Sequence, residues 1–120
     1  MFVAIAPEGE LAVHAIGAGR HYLCVFSLNG HPLACMQLRA ALNSLQISSC
    51  GRWLLAGSEE MIRIHELHSL AVRLELPPPR EAGACSCASV SPCGRAVVMG
   101  TTLGGVYGFA VAEALGGGAQ

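Results

Sequence analysis

Histidine and cysteine are the residues of this sequence whose side chains could bind a metal ion. His65 and His68 stand three residues apart in the segment HELH, a spacing that occurs in some zinc sites. The alternating polarity around them predicts a strand, on which the two side chains point to opposite faces before the chain turns. We therefore expect no metal at this pair.

Whether the cysteines are free thiols or disulfides depends on whether the cellular compartment is reducing or oxidising. The N-terminal segment MFVAIAPEGE has no cationic stretch before its apolar residues, so it does not resemble a secretory signal. We therefore expect a reducing compartment and free thiols. Cys85 and Cys87 would share one face of a strand, where they could bind a soft metal or oxidise; we favour a buried strand with small side chains. The six cysteines are Cys24, Cys35, Cys50, Cys85, Cys87 and Cys93.

Catalytic motifs are missing from the sequence. It contains no GxSxG segment and no aspartate that could orient a histidine in a hydrolytic triad. The glycines at Gly104-Gly105 and at residues 116–118 do not precede a predicted helix, so they lack the context of a phosphate-binding loop. We predict that the protein is not an enzyme and holds no cofactor.

The composition favours a packed protein that contacts other proteins. Of 120 residues, 52% are hydrophobic and 12% are charged, against roughly 25% charged in an ordinary soluble domain. The net charge of −1 and the absence of lysine give no basic surface for nucleic acid. The uncharged run at residues 96–112 holds glycines and threonines and is too short for a spanning helix. Much of the apolar surface is therefore expected to meet further protein.

An internal repeat is the strongest pattern in the sequence. Three segments align without gaps at spacings of 42 and 43 residues: VAIAPEGELAV from Val3, LQISSCGRWLL from Leu45 and ASVSPCGRAVV from Ala88. Each begins with the alternation of a half-buried strand. A turn glycine follows, and then a second apolar run at residues 11–16, 53–56 or 96–99. The turn glycines are Gly9, Gly51 and Gly94, and Gly17, Gly57 and Gly100 close the second runs.

Further strands complete each copy. The short second runs are typical of central strands buried on both faces. Third strands begin at Tyr22, Met61 and Gly105, and fourth strands are predicted at residues 32–38 and 71–76. In the middle copy, Ile62 and Ile64 face one way and Arg63 and His65 the other. The pattern predicts eleven strands and no competing helix.

The segment GSEEMIRIHELHS, residues 57–69, resembles the end-of-repeat segment of WD-type β-propellers. His65-Glu66 stands where that family has its Trp-Asp pair, and Phe26-Ser27 and Phe109-Ala110 hold the same place in the other copies. The resemblance implies an all-β fold of three consecutive four-stranded antiparallel blades, the last incomplete. The blades would span residues 1–40, 41–80 and 81–115, followed by a disordered tail at 116–120.

A second resemblance concerns the segment YLCVFSLNGHPLACMQL from Tyr22. It is similar to a strand, Asn-Gly, strand segment near the C-terminus of neurobeachin-like proteins, which carry a BEACH domain; Asn29-Gly30 is itself a hairpin signal. The order of the later segments, including the prolines at residues 77–79, is similar too. The resemblance implies a C-terminal piece of a cytoplasmic scaffold in vesicle or granule trafficking. It would reach endomembranes peripherally, through its parent protein.

Binding is expected at the rims of the blades, where loop residues are exposed. Three repeats would also leave open blade edges, at which remaining blades or a second copy could associate. Two alternatives stay open: a self-contained β-sandwich or partial-barrel binding protein, and a small cysteine-based redox or metal-binding protein. The prolines at residues 77–79 could form a ligand for a partner, although we favour a connector. The candidate protein-binding residues are Arg20, His21, Glu59, Glu60, Arg63, Arg80 and Glu81.

Overall fold

The computed structural model describes residues 2–7, 9–49, 51–91 and 95–110, and in this part of the chain it contains eleven strands and no helix. The strands form three antiparallel sheets, each paired in chain order. The all-β prediction and the predicted number of strands are confirmed. The first sheet holds β1 (Phe2–Ile5), β2 (Leu11–Gly17), β3 (Arg20–Phe26) and β4 (Pro32–Leu38); the second holds β5 (Leu42–Ile47), β6 (Trp53–Ser58), β7 (Ile62–Glu66) and β8 (Val72–Leu76); the third holds β9 (Cys85–Val90), β10 (Ala96–Thr101) and β11 (Val106–Ala110).

The three sheets pack in series through two hydrophobic clusters. On β6, Leu54 and Ala56 belong to the cluster shared with the first sheet, whereas Trp53 and Leu55 belong to the cluster shared with the third. The whole of β6 is buried, as predicted for a strand covered on both faces. The same prediction is wrong for β2 and β10, where burial alternates. Those strands lie in the outer sheets, and only one face of each outer sheet packs on a described neighbour.

The first strands of neighbouring sheets lie side by side, β1 beside β5 and β5 beside β9, and β9 also packs against β6. Polar side chains of β5 reinforce its contact with β9. The Gln46 side-chain oxygen accepts hydrogen bonds from the Val90 amide and the Ser89 hydroxyl, both at 3.0 Å, and the Ala88 amide donates to Ser44 Oγ at 2.9 Å. The resulting arrangement measures 43 × 41 × 18 Å.

Glycine makes the predicted hairpin turns where the structure describes them. Gly9 and Gly51 have φ of 98° and 76°, values that favour glycine; Gly94 lies outside the described residues. Gly30 has φ of 85° and donates its amide to the Ser27 carbonyl at 2.9 Å, which closes the β3–β4 hairpin. Gly17 is the last residue of β2, so the prediction that a glycine closes the second strand is confirmed there. It is wrong for Gly57 and Gly100, which lie one residue before the ends of β6 and β10.

The pairing register corrects the gapless alignment of the repeat. Val3 pairs with Val13, whereas Leu45, the residue aligned with Val3, pairs with Ala56. The gapless alignment matches Ala56 with His14 and not with Val13. The first turn closes from the Ala6 amide to the Glu10 carbonyl, but the second closes from Ser48 to Trp53 and is one residue longer. A slip of one residue moves every side chain of a strand to its other face. The second strands therefore correspond at a spacing of 43 residues in both steps.

A bulge in the third sheet overturns the shared face expected for Cys85 and Cys87. Cys87 pairs with Gly100 and Cys85 pairs with Thr101, with a register shift between them. Because Gly100 and Thr101 are adjacent on one strand, the two cysteines face opposite sides of the sheet. Cys85 is buried and Cys87 is exposed. Cys50 and Cys93, the end of the expected third blade at residues 111–115 and the expected tail at 116–120 all lie outside the described residues.

Candidate functional site

Alternate connections of the sheets meet at one edge, which we call the loop rim. It consists of the β2–β3, β6–β7 and β10–β11 turns and the β4–β5 and β8–β9 connections, since consecutive antiparallel strands turn at opposite ends. Hydrogen bonds join its parts: the Cys85 amide donates to the Glu59 carbonyl at 3.1 Å, and the Thr102 amide to the Ala84 carbonyl at 2.9 Å. The loop rim therefore runs continuously across the second and third sheets.

All seven candidate binding residues predicted from the sequence lie on the loop rim or beside it. Arg20 opens β3 and is exposed, and His21 follows it half-buried. Glu59 and Glu60 are exposed in the β6–β7 turn, and residues 80–81 are exposed in the β8–β9 connection. Their common edge follows from the topology of the sheets, so the sequence predicted the residues individually but not their grouping. The prolines at residues 77–79 lie in the same β8–β9 connection.

Arg63 is the most constrained of the seven. Its Nε donates a hydrogen bond of 2.8 Å to Glu75 Oε2 on the neighbouring strand β8. It pairs across the sheet with Ala56, whose side chain faces the first sheet. The guanidinium therefore lies where the first and second sheets meet at the loop rim.

A pocket opens beside Arg63 between the first two sheets. The space available to the centre of a water molecule is about 10 Å³, enough for roughly one water and too little for an organic cofactor. Sequence reasoning had not predicted this pocket, because its walls come from both sheets. It is lined by Leu38, Arg39, Ala40, Leu42, Ala56, Ser58, Arg63 and His65.

His65 is a buried polar group of this pocket, as is Ser58. Its Nδ1 donates to the Leu70 carbonyl at 3.0 Å, because a carbonyl oxygen can only accept. This bond assigns the neutral tautomer and leaves Nε2 as an acceptor, for which the described residues supply no partner. Burial is the main cause that lowers the pKa of His65; the neighbouring Arg63 charge lowers it further, while the bond to Leu70 and the Glu75 charge oppose the shift. The alternating residues of β7 had predicted that His65 lies on the same face of the sheet as Arg63.

A second histidine pair lies in the first sheet. His14 Nε2 and His21 Nδ1 are 3.1 Å apart, so one nitrogen must carry a proton and the other accept it. Burial is the main cause that lowers the pKa of His14, and the proximity of His21 lowers it further. The pair thus links the buried face of the first sheet to the loop rim.

The geometry separates the two histidines of the HELH segment. His65 is enclosed by the first two sheets, whereas His68 is exposed in the β7–β8 turn and its Nε2 bonds to the Glu10 carboxylate. Among the described residues no group of three or more histidine, cysteine or acidic side chains is placed to hold a metal ion.

Comparisons with known proteins leave the family open. No family model matches the sequence, and no curated protein matches it either. Within the described ranges, the structure contains no helix with the length and apolarity needed to cross a membrane.

Proposed function

We propose that this protein is a propeller-type binding scaffold in which the three sheets are consecutive blades. Its two outer faces, which bear Val3 on the first sheet and Val106 on the third, bind further sheets of the same kind. Other proteins bind at the loop rim. The proposal combines the resemblance of the sequence to WD-type repeats with the serial packing of the sheets.

The main support for the proposal is that positions buried on the middle sheet are exposed at the equivalent places on an outer sheet. Ile62 pairs with Gly57 in the second sheet as Val106 pairs with Gly100 in the third. Ile62 is 0% exposed, but Val106 is 75% exposed. Likewise Leu55 is 2% exposed and its equivalent Val98 is 44% exposed. The exposed apolar face of the third sheet therefore corresponds to the face by which the second sheet packs against the third.

The opposite end of the stack presents the complementary surface. Leu45 and Ile47 of β5 pack against the cluster shared with the first sheet. Their equivalents on β1, Val3 and Ile5, are 56% and 69% exposed. Each outer face therefore continues an interface that already exists between two sheets, and a further sheet of the same kind is the partner that fits it.

The overall dimensions agree with blades arranged around an axis. The smallest dimension, 18 Å, matches the length of a single strand, about 17–20 Å. The first strands of neighbouring sheets converge while the sheets extend away from them. Two copies would supply six sheets, within the range of about four to eight blades that closed propellers use.

The loop rim supplies the surface for other proteins. It carries arginines and glutamates side by side, and the pocket beside Arg63 is too small for an organic ligand; both features favour a protein surface as the partner. The resemblance to neurobeachin-like proteins gives the proposed setting: a cytoplasmic scaffold in vesicle or granule trafficking. It would be peripheral on endomembranes through a parent protein.

Sedimentation velocity over a wide range of protein concentrations tests the open faces. We expect the purified chain to associate as its concentration rises, since both outer faces are apolar. The substitution Val106→Glu should weaken the association by about tenfold or more, because docking would take an unpaired carboxylate out of water. Leu103→Glu is the matched control: Leu103 is equally exposed but lies in the β10–β11 turn instead of on a strand of the sheet, and its substitution should have no effect.

A chain that stays monomeric at every concentration and unfolds cooperatively would contradict the proposal. That result would favour the self-contained β-sandwich or partial barrel instead. Equal effects of the two substitutions would also contradict it, because the association would then not depend on the outer face.

A further inference from the structure

Two cysteines of the first sheet lie directly opposite each other. Cys24 on β3 pairs with Cys35 on β4, and their sulfur atoms are 2.6 Å apart. Directly opposed residues of an antiparallel pair have Cα atoms about 4.5–5.5 Å apart, within the ~4.4–6.8 Å that a disulfide requires. The backbone is therefore already placed for a covalent bond between the two strands.

The pair is also accessible to a reagent. Cys35 is exposed and Cys24 is half-buried. In the pairing register they extend a row formed by Val3 and Val13 across the outer face of the first sheet. A small molecule in solution can reach Cys35 without any opening of the sheet.

We propose that Cys24 and Cys35 form a reversible disulfide by exchange with a low-molecular-weight disulfide such as glutathione disulfide. The Cys35 thiolate attacks one glutathione sulfur, the glutathione S–S bond breaks and one glutathione thiolate leaves. The Cys24 sulfur then attacks the Cys35 sulfur, gives its proton to water and displaces the second glutathione. Two protein thiols are oxidised to one disulfide, and one glutathione disulfide is reduced to two glutathione molecules.

The surroundings of the two sulfurs set this order of attack. Burial, together with the hydrogen bond to Cys35, raises the pKa of the Cys24 thiol to about 11. Cys24 therefore keeps its proton more readily, whereas Cys35 is exposed and is the sulfur that a reagent in solution reaches first. Cys35 is the attacking group and Cys24 the resolving one.

The other two described cysteines serve as an internal comparison. Cys85 and Cys87 are close in sequence, but the bulge in the third sheet places them on opposite faces. Cys85 is buried, and its thiol donates to the Cys87 carbonyl at 3.7 Å. This pair should not close a disulfide under conditions that oxidise Cys24 and Cys35.

The experiment is to equilibrate the full-length chain with glutathione buffers of increasing oxidised fraction, and to map cysteine peptides by mass spectrometry after acid quenching. We expect a peptide pair joined through Cys24 and Cys35, reversed by excess reduced glutathione. Since the second step is intramolecular, the glutathione adduct on Cys35 should stay below about a tenth of the oxidised protein. In Cys24→Ser the reaction should stop at that adduct, whereas Cys87→Ser should behave as the wild type.

Either of two results would overturn the proposal. One is accumulation of the glutathione adduct on Cys35 in the wild-type chain, which would mean that Cys24 does not resolve it. The other is equal formation of disulfides that involve Cys85 or Cys87, which would mean that the strand pairing does not select the partner. The wild-type mapping decides between these outcomes without any variant. The pair lies on the same outer face as Val3, which the proposed stacking would cover, so the mapping is done at a protein concentration at which the chain sediments as a monomer.

Discussion

His65 occupies the same pairing position as a phenylalanine in each of the other two sheets. It pairs with Leu54, as Phe26 pairs with Leu11 and Phe109 with Val97. The register thereby confirms the equivalence that the sequence assigned to these three residues. A histidine at this position needs the Leu70 carbonyl as its partner and must remain neutral, which makes folding sensitive to pH.

Stability should decrease when the pH falls from 7.5 to 5.5. Burial holds the pKa of His65 and of His14 below the ordinary value of about 6.5, so the unfolded chain binds protons in this range that the folded chain does not. The stabilisation is complete above pH ~6.5 and is lost as the pH falls towards the folded values. Urea unfolding at a series of pH values measures this slope.

The substitution His65→Phe tests the contribution of this single residue. The pH dependence should become shallower, because one of the two buried imidazoles is gone. At pH 7.5 the Leu70 carbonyl loses its donor, which should lower the free energy of unfolding by about 1–3 kcal/mol. His31→Gln is the control, since His31 is exposed in the β3–β4 turn. An unchanged slope in His65→Phe would show that its protonation is not linked to folding.

At the scale of the strands, the side-chain contacts between β5 and β9 differ from those between β1 and β5. Gln46 bonds to the backbone of β9, whereas the equivalent residue of β1 is Ala4, which contributes only apolar contact. The second and third sheets are therefore held by polar side chains as well as by the hydrophobic cluster.

The substitution Gln46→Ala should lower the free energy of unfolding by about 1–3 kcal/mol, because it leaves the Val90 amide without its acceptor. Gln37→Ala is the matched control, since Gln37 is exposed on the edge strand β4. Chemical denaturation of both variants measures the difference. Equal stabilities of the two variants would rule out a role of this bond in joining the sheets.

The sequence predicted the strands well and their register less well. Alternating side chains such as those of β7 specify a strand and its faces, and the positive φ of Gly51 explains the glycine in its turn. The number of residues in each turn is not visible in a gapless comparison, so the one-residue slip in the first sheet was missed. The bulge that places Cys85 and Cys87 on opposite faces was also missed, because a bulge is defined by how a strand pairs with its neighbour and not by its own sequence.

The candidate site was predictable only in part, because topology assembles it. The exposure of Arg20 and Arg80 follows from their places in turns, but their common edge requires the order of pairing within every sheet. The Cys24–Cys35 pair could not be predicted by counting outward from its turn, because a register shift between Val25 and Phe26 moves the pairing by one residue. The pocket beside His65 carried no readable signal, because its walls come from two sheets.

At the scale of the whole molecule, the two outer faces correspond to opposite faces of the middle sheet. One is the face that a sheet turns to its predecessor, represented by Val3, and the other is the face that it turns to its successor, represented by Val106. Association of copies should therefore be head-to-tail, with unlike faces in contact. A single substitution on either face then damages every contact that a homogeneous sample can form.

Mixing two variants in sedimentation velocity tests the central claim most directly. Val3→Glu and Val106→Glu should each remain largely monomeric alone, since every contact in either sample includes one altered face. An equimolar mixture should recover association, because one variant keeps the face around Val106 and the other keeps the face around Val3. If the mixture stays monomeric, or if either variant associates alone as well as the wild type, the sheets do not stack as successive blades.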